Sequence, residues 1–511
     1  MSKVKNAYKE IEDIVGQDFV TEKDFMKAAY SRGVDPAFPD QWADMIVRPE
    51  TTEEVSDIAK IANKYKIKMV PRGGGADLVG GSITEGGILI DLTRMNNIVE
   101  VNEDDYYCIV ECGITWAALH SELHPRGYTT GVLGPGSGYS ATIGGGLSNA
   151  TVGFGSTKYG VVPDICLGVE VVLPNPEGTI IRTGAAASKY AAPFCRYGVA
   201  PDFTGLFMGD VGTMGIKTKA FLRLHPDSPL KVHRYYILNK NDYNKVSELA
   251  HKLRKEVGDA IRDLVVFPNI IVQLVAGRAV RKPPKRPRLK GPMFSIIAEA
   301  FDQRILDVYL EKIDEIMTKD DIARPFEWQE VDLDAELSKD WKFSLKYGFN
   351  FFHGGISMAP PQISCTTCHK IPMSSLAEVD QKCSEFDKKY MSEYPPGNFS
   401  MLAGYLFFTP NGGCVLVGGF WADNVDEARK VAMNMWHKKL RNQVRYGGIH
   451  YWLGESISQS IVEADAYTPE YMQFFRDMKK TVDPNFLLSP NKFHMYSYDY
   501  DYTKHIVKDE E

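Results

Sequence analysis

Apolar residues first fall at helical spacing at Val55, Ile58, Ala59, Ile61 and Ala62. The stretch opens on Thr51-Thr52-Glu53-Glu54, a capping hydroxyl followed by acids of the first turn. Short strand-like runs flank it at 45–49 and 67–71, the second ending in a glycine cluster. This predicts strand–helix–strand ahead of the first glycine-rich loop. Residues 1–45 alternate short helix-like segments with polar turns. Further strands are predicted at 87–92, 107–111, 166–173 and 179–182, and 215–224 alternates as a half-buried strand does. From about Leu230 the texture changes. A strand at 232–238, a helix at 242–256, strands at 269–274 and 294–300 and a helix at 303–317 follow in the order of a ferredoxin-like sandwich. No repeat at solenoid spacing is visible.

An α+β fold in three pieces is expected: 1–228, 229–479 and 480–511. The end, 496–511, is polar and acidic and is expected on the surface or on a neighbouring subunit. The 511 residues leave volume for several cores. A net charge of −7 argues against a nucleic-acid binder. No apolar run approaches the roughly 18–20 residues that cross a bilayer. The N-terminus lacks the apolar core of a signal peptide, so a cytoplasmic location is expected. The eight cysteines, several in strand-like runs, read as small buried hydrophobes. Residues 278–290 carry seven basic side chains and no acid. They read as a solvated hairpin tip or as a docking site for an acidic electron-transfer protein.

Three glycine-rich elements carry the chemistry. The first is 71–81, with Arg72, Gly73, Gly74, Gly75, Ala76 and Asp77. The second is 134–149, with Pro135, Gly136, Ser137, Thr142, Ile143, Gly145 and Asn149. The third, 153–160, begins at Gly153. Such runs leave backbone N–H groups uncovered and permit close approach of an anion such as a pyrophosphate. Neither of the first two has the Rossmann spacing, so NAD is not expected as the main cofactor.

The order of these loops, with 91–98, Lys158-Tyr159-Gly160, 206–216 (including Gly215 and Ile216) and 482–492 (including Asn491), resembles the FAD-binding domain of the vanillyl-alcohol oxidase / p-cresol methylhydroxylase superfamily. That resemblance implies a two-part FAD-binding domain, a cap that carries the substrate, and FAD as cofactor. Asp210-Val211 departs from the Ser-Glu of many relatives. Some relatives bond the flavin covalently, and Phe352-His353-Gly354 resembles the cap strand near that linkage, which makes His353 the candidate.

Hydride transfer to flavin needs groups that take a proton or stabilise an anion beside the substrate. The richest cluster is 445–455, with His450, Tyr451 and Trp452. Tyr451 resembles a phenolate-binding tyrosine of the family, while Trp452 stands where an arginine is usual. Val79 and Gly80 occupy the region of a second tyrosine, so the clamp is partial. Tyr451 and His450 are assigned to catalysis and Trp452 to the pocket wall. An aromatic alcohol or alkylphenol-like substrate is expected. The alternatives are a D-2-hydroxy acid, as in the similar glycolate and lactate branch, and a flavin-carrying relay subunit of a complex. A homodimer or higher oligomer is expected. Cys365-Thr366-Thr367-Cys368-His369 has the spacing of a haem attachment site; a metal or redox-active site is the other alternative, and the segment is read as a cap loop, with no metal ligand assigned.

Overall fold

A computed structural model describes residues 2–32, 40–77, 79–268, 290–326, 362–391, 399–402, 406–423 and 425–508. The N-terminal part holds helices α1 (Ser2–Val15), α2 (Asp24–Ala28) and α3 (Thr52–Tyr65). It also holds strands β1 (Val20–Thr21), β2 (Met45–Val47), β3 (Met69–Arg72) and β4 (Ile88–Asp91). Thr51 caps α3 as its sequence predicts, its hydroxyl accepting the Glu54 amide at 3.1 Å. The strands form a sheet in the order β1-β2-β4-β3, in which β2, β4 and β3 are parallel. Continuous apolar runs suit such strands because they lose solvent on both faces. Distant residues finish this sheet. The Met69 amide donates to Leu487 O, and the Ser489 amide to Met69 O, both at 2.8 Å.

A second, antiparallel sheet has the order β5-β6-β10-β8-β9. Its strands are β5 (Ile98–Asn102), β6 (Tyr107–Glu111), β8 (Cys166–Val172), β9 (Ile180–Arg182) and β10 (Ile216–Arg223), while β7 (Tyr128–Thr129) pairs with β11 (His225–Pro226). Helices α4 (Trp116–Leu123) and α5 (Ile143–Ser148) bury Trp116, Leu119, Ile143 and Leu147 in the core it shares. The one-turn α6 (Ser156–Tyr159) follows.

The remaining sheet has nine strands. Its first half runs β12 (Leu230–Leu238), α7 (Tyr243–Val257), β13 (Ile261–Phe267), β14 (Met293–Ala300), α8 (Gln303–Thr318), β15 (Ala323–Pro325). Its second runs β16 (Gln362–Pro372), α9 (Leu376–Met391), β17 (Phe399–Leu402), β18 (Leu406–Phe408), β19 (Gly413–Asp423), α10 (Asp426–Arg445), β20 (Ile449–His450). The order is β15-β12-β14-β13-β18-β19-β16-β20, with β17 also on β19. Each half is therefore a ferredoxin-like βαββαβ unit, the second reversed, and the two join where β13 meets β18. Two further helices, α11 (Glu455–Glu463) and α12 (Pro469–Val482), lead back to the first sheet.

The ferredoxin-like expectation holds, with one change of element. Residues 269–274, expected as a strand, lie outside the described residues, as does most of the basic run 278–290. The second strand of the unit is β13, whose Arg262 and Asp263 interrupt the apolar pattern although both are buried. Among the described residues no helix is long and apolar enough to cross a membrane. The described cysteines are all free, and six of the eight are buried.

The cap sheet lies on the N-terminal part through one face, where Tyr235, Val265, Phe267 and Phe407 meet Leu133, Val152 and Phe154. Residues 155–159 provide the polar part of the joint. The Thr157 hydroxyl donates to Phe408 O at 2.8 Å and accepts the Leu264 amide at 3.0 Å. The Gly155 amide donates to Asp263 at 2.5 Å. Lys158 Nζ and the Tyr159 hydroxyl both donate to Glu299, at 2.8 and 3.0 Å.

Thr157→Val strands two buried backbone groups, so a loss of roughly 2–6 kcal/mol in denaturant unfolding is expected, at about 1–3 per orphaned group. A loss within error would show that the joint does not depend on this residue. Burial raises the Asp263 carboxyl to about 6. Its folded value is above the unfolded one, so its contribution to stability is full below about pH 4 and is lost as pH rises through about 6. Across that window the gap between wild type and Asp263→Asn is expected to change by ~2–3 kcal/mol. A constant gap, measured by thermal unfolding, would count against a buried titrating group.

Candidate functional site

The two long glycine loops meet backbone to backbone. The first leaves β3 at Arg72, and the second runs into α5. A Cβ at Gly73 would lie 2.1 Å from Thr142 Oγ1, and one at Gly74 would lie 1.6 Å from Ser140 O. No larger residue fits either position without parting the loops. Thr142 also caps α5, its hydroxyl accepting the Gly145 amide at 3.3 Å. Asp77 shapes its own loop by accepting the amides of Val79 at 3.1 Å and Gly81 at 2.8 Å. Among the described residues, the amides of Gly73, Gly74, Gly75, Ala76 and Ser137 donate to no protein acceptor. They are free to bind an anion.

Between the loops and the cap lies a cavity of about 430 Å³. Of the residues expected at a cofactor, Arg72, Gly73, Gly74, Gly75, Ala76 and Asp77 line it from the first loop. Pro135, Ser137, Thr142, Gly145 and Asn149 line it from the second, and Gly215 from the start of β10. Asn149 Oδ1 is buried and has no hydrogen-bond partner among the described residues, an acceptor left for a ligand. Uncovered amides, glycines that admit close approach and this orphan acceptor together fit a dinucleotide such as FAD.

Other expected residues stand elsewhere. Gly136 does not line the cavity. Ile143 and Ile216 are fully buried in the cores beneath it. Gly153 is a glycine because Gly134 O would lie 1.9 Å from its Cβ, and its segment joins the cap. Asn491 donates to Glu455 at 3.3 Å and its carbonyl accepts from Gln459 at 2.8 Å. His353 lies outside the described residues. His450 sits between the carbonyls of Cys368 and Leu440, at 3.1 and 3.0 Å, and burial lowers its pKa. It faces a separate groove, not the cavity. Tyr451 and Trp452 do line the cavity, their ring centroids 5.6 Å apart.

The segment 365–369 is part of strand β16, not a loop. Strand alternation sends Cys365 under α10 beside Phe420 and Trp436, and Cys368 to the opposite face beside Val417 and Tyr451. The two thiols cannot hold one group between them. Among the described residues, no group of three His, Cys, Asp or Glu could hold a metal.

The sequence reading missed three lysines. Lys217 lines the cavity and donates to Asp210 at 2.6 Å and Ser148 at 2.9 Å, all within the protein. Asp210 is thus the buried partner of Lys217. Lys492 donates to the carbonyls of Gly81 and Val211, and burial pushes its pKa down to about 8. Lys479 donates to the carbonyls of Thr213 at 2.6 Å and Leu488 at 2.8 Å, and to Asp483 at 2.8 Å.

Comparison with known proteins matches residues 43–184 to the FAD binding domain family. The chain is 32% identical over 228 residues to the glycolate oxidase subunit GlcD of Bacillus subtilis, covering 44% of this chain and 46% of that protein. It is 26% identical over 457 residues to the mitochondrial D-lactate dehydrogenase [cytochrome] of Arabidopsis thaliana, covering 88% and 73%. The match to GlcD thus spans less than half of that relative's length. Among solved structures, p-cresol methylhydroxylase with substrate bound superposes with a TM-score of 0.79 at 17% identity, over 96% of this chain and 97% of that one.

Gly74→Ala is expected to yield a folded protein that purifies without flavin colour, since its methyl must displace Ser140. Far-ultraviolet circular dichroism monitors the fold and visible absorbance the cofactor. Full flavin content in this variant would contradict the loop contact.

Proposed function

We propose, for a chain that carries an FAD-binding domain within the fold of the vanillyl-alcohol oxidase / p-cresol methylhydroxylase superfamily, that it oxidises an aromatic alcohol or alkylphenol-like compound. The observation that carries this reading is the pairing of Tyr451 and Trp452 on the cap side of the cavity. Their rings offer a flat apolar wall to an aromatic substrate. The Tyr451 hydroxyl reaches the Cys368 thiol and places a polar group at the end of that wall. Bound FAD supplies the hydride acceptor. The protein's part is to hold the substrate against the wall, to keep water out and to offer the Tyr451 hydroxyl as a hydrogen-bond donor to the substrate's oxygen. The cations lining the cavity are committed already: Lys217 pairs with Asp210, and Arg72 lies over the Tyr30 ring at 5.1 Å.

One observation favours a D-2-hydroxy acid instead. Lys370 Nζ lies 5.2 Å from the centroid of the Tyr451 ring and has no hydrogen bond or ion pair among the described residues. A substrate carboxylate would suit it.

Anaerobic mixing separates the two readings. Bleaching of the flavin by a 4-alkylphenol or a vanillyl-type alcohol supports the first, and bleaching by D-lactate or glycolate overturns it. In the first case Tyr451→Phe is expected to lower kcat/KM tenfold or more, about 1.5–3 kcal/mol for a hydrogen bond to a charged group. An unchanged kcat/KM would remove the tyrosine from the reaction.

A further inference from the structure

The cap side of the cavity is built where β20 runs out beside β16, and one thiol stands behind its tyrosine. The two strands pair antiparallel, with His369 opposite His450 and Lys370 opposite Ile449. The same register carried one step on sets Cys368 opposite Tyr451, whose amide donates to Cys368 O at 3.4 Å. Side chains directly across such a pair share a face, their Cβ atoms roughly 4.5–5.5 Å apart. Cys368 is fully buried, with Val417 of β19 on its other side. Its thiol and the Tyr451 hydroxyl are hydrogen-bonded to each other. Lys370, two positions along the same face, holds its ammonium over the Tyr451 ring, 5.2 Å from the centroid.

Either partner of the thiol–hydroxyl bond can donate, and the direction decides where the one hydrogen of the tyrosine points. Burial pushes the Cys368 thiol far above its ordinary range, so its own hydrogen stays on sulfur. Sulfur is a weak acceptor, and a substrate oxygen in the cavity that Tyr451 lines is a stronger one. With the S–H given to the phenol oxygen, the O–H is left for the cavity. The chain then runs from sulfur to tyrosine to substrate, and each bond polarises the next.

We propose that Cys368 is a positioning residue: its thiol donates to the Tyr451 oxygen and so aims the tyrosine's O–H at the oxygen of the bound substrate. Cys368 has this role whichever substrate the cavity takes, provided that Tyr451 faces it as proposed above.

Infrared difference spectra of the flavin-loaded full chain, wild type minus Cys368→Ala, isolate the S–H stretching band of Cys368 from those of the other free thiols. The same difference taken between Tyr451→Phe and Tyr451→Phe with Cys368→Ala is expected at higher frequency, because the acceptor oxygen is gone. Steady-state kinetics gives the second readout, with vanillyl alcohol, or with D-lactate where that is the compound that bleaches the flavin. Cys368→Ala is expected to lower kcat about three- to tenfold, the range of one neutral hydrogen bond, with KM little changed. Cys368→Ser keeps a donor and is expected to recover most of that loss. Flavin content equal to wild type in both variants separates a misdirected tyrosine from a cavity that fails to form. A band that Tyr451→Phe leaves unmoved overturns the proposal whatever the substrate proves to be. So does a wild-type kcat in Cys368→Ala, or a serine variant no better than the alanine. Bleaching by D-lactate in place of vanillyl alcohol overturns the aromatic substrate and leaves the band shift and the serine rescue as expected.

Discussion

The cavity depends on one contact, the approach of Gly73 and Gly74 to Thr142 and Ser140 with no side chain between. It lets two rows of amides converge where ordinary side chains would hold the loops apart. Each loop is carried by a rigid element, the first by the end of β3 and the second by the start of α5. Thr142 serves both, since its hydroxyl caps the helix and its side chain fills the space above Gly73. The geometry is therefore set by the scaffold and is in place before any ligand arrives.

Holding loops this close also buries backbone carbonyls that no strand or helix satisfies. The protein meets them with lysines. One ammonium has three donors, so Lys492 serves Gly81 and Val211, and Lys479 serves Thr213, Leu488 and Asp483. Burial lowers the pKa of both. A neutral amine retains two donors, so Lys492 can keep both of its carbonyls. Lys217 forms a buried pair of its own beside the cavity, donating to Asp210 and to the Ser148 hydroxyl. Breaking such a pair from one side would leave an uncompensated charge, so the two residues form a unit.

Much of this was legible in the sequence, for identifiable reasons. The glycine loops declare themselves because no other residue tolerates the contact, and α3 because its cap and apolar stripe agree. The errors share a cause: residues whose surroundings come from distant chain. Strand β13 was hidden because Arg262 and Asp263 break its apolar run, yet Asp263 is buried to receive Gly155. Gly153 looked like part of the cradle because its segment is rich in glycine, though close packing against Gly134 explains it as well. His450 looked catalytic beside Tyr451, but its ring is held between the carbonyls of Cys368 and Leu440 and faces a separate groove. The doubled ferredoxin-like unit is a repeat of topology, which no self-similarity of sequence announces.

The Lys492–Gly81 hydrogen bond spans 411 positions. A ribosome adding roughly 5–20 residues per second needs about 20–80 s to cover that distance. During that time the nascent chain has both glycine loops but not the lysine that secures the first of them, nor the residues around Leu487 that close the sheet beneath. Cofactor capture is accordingly a late event in the birth of the molecule, one that awaits nearly finished synthesis.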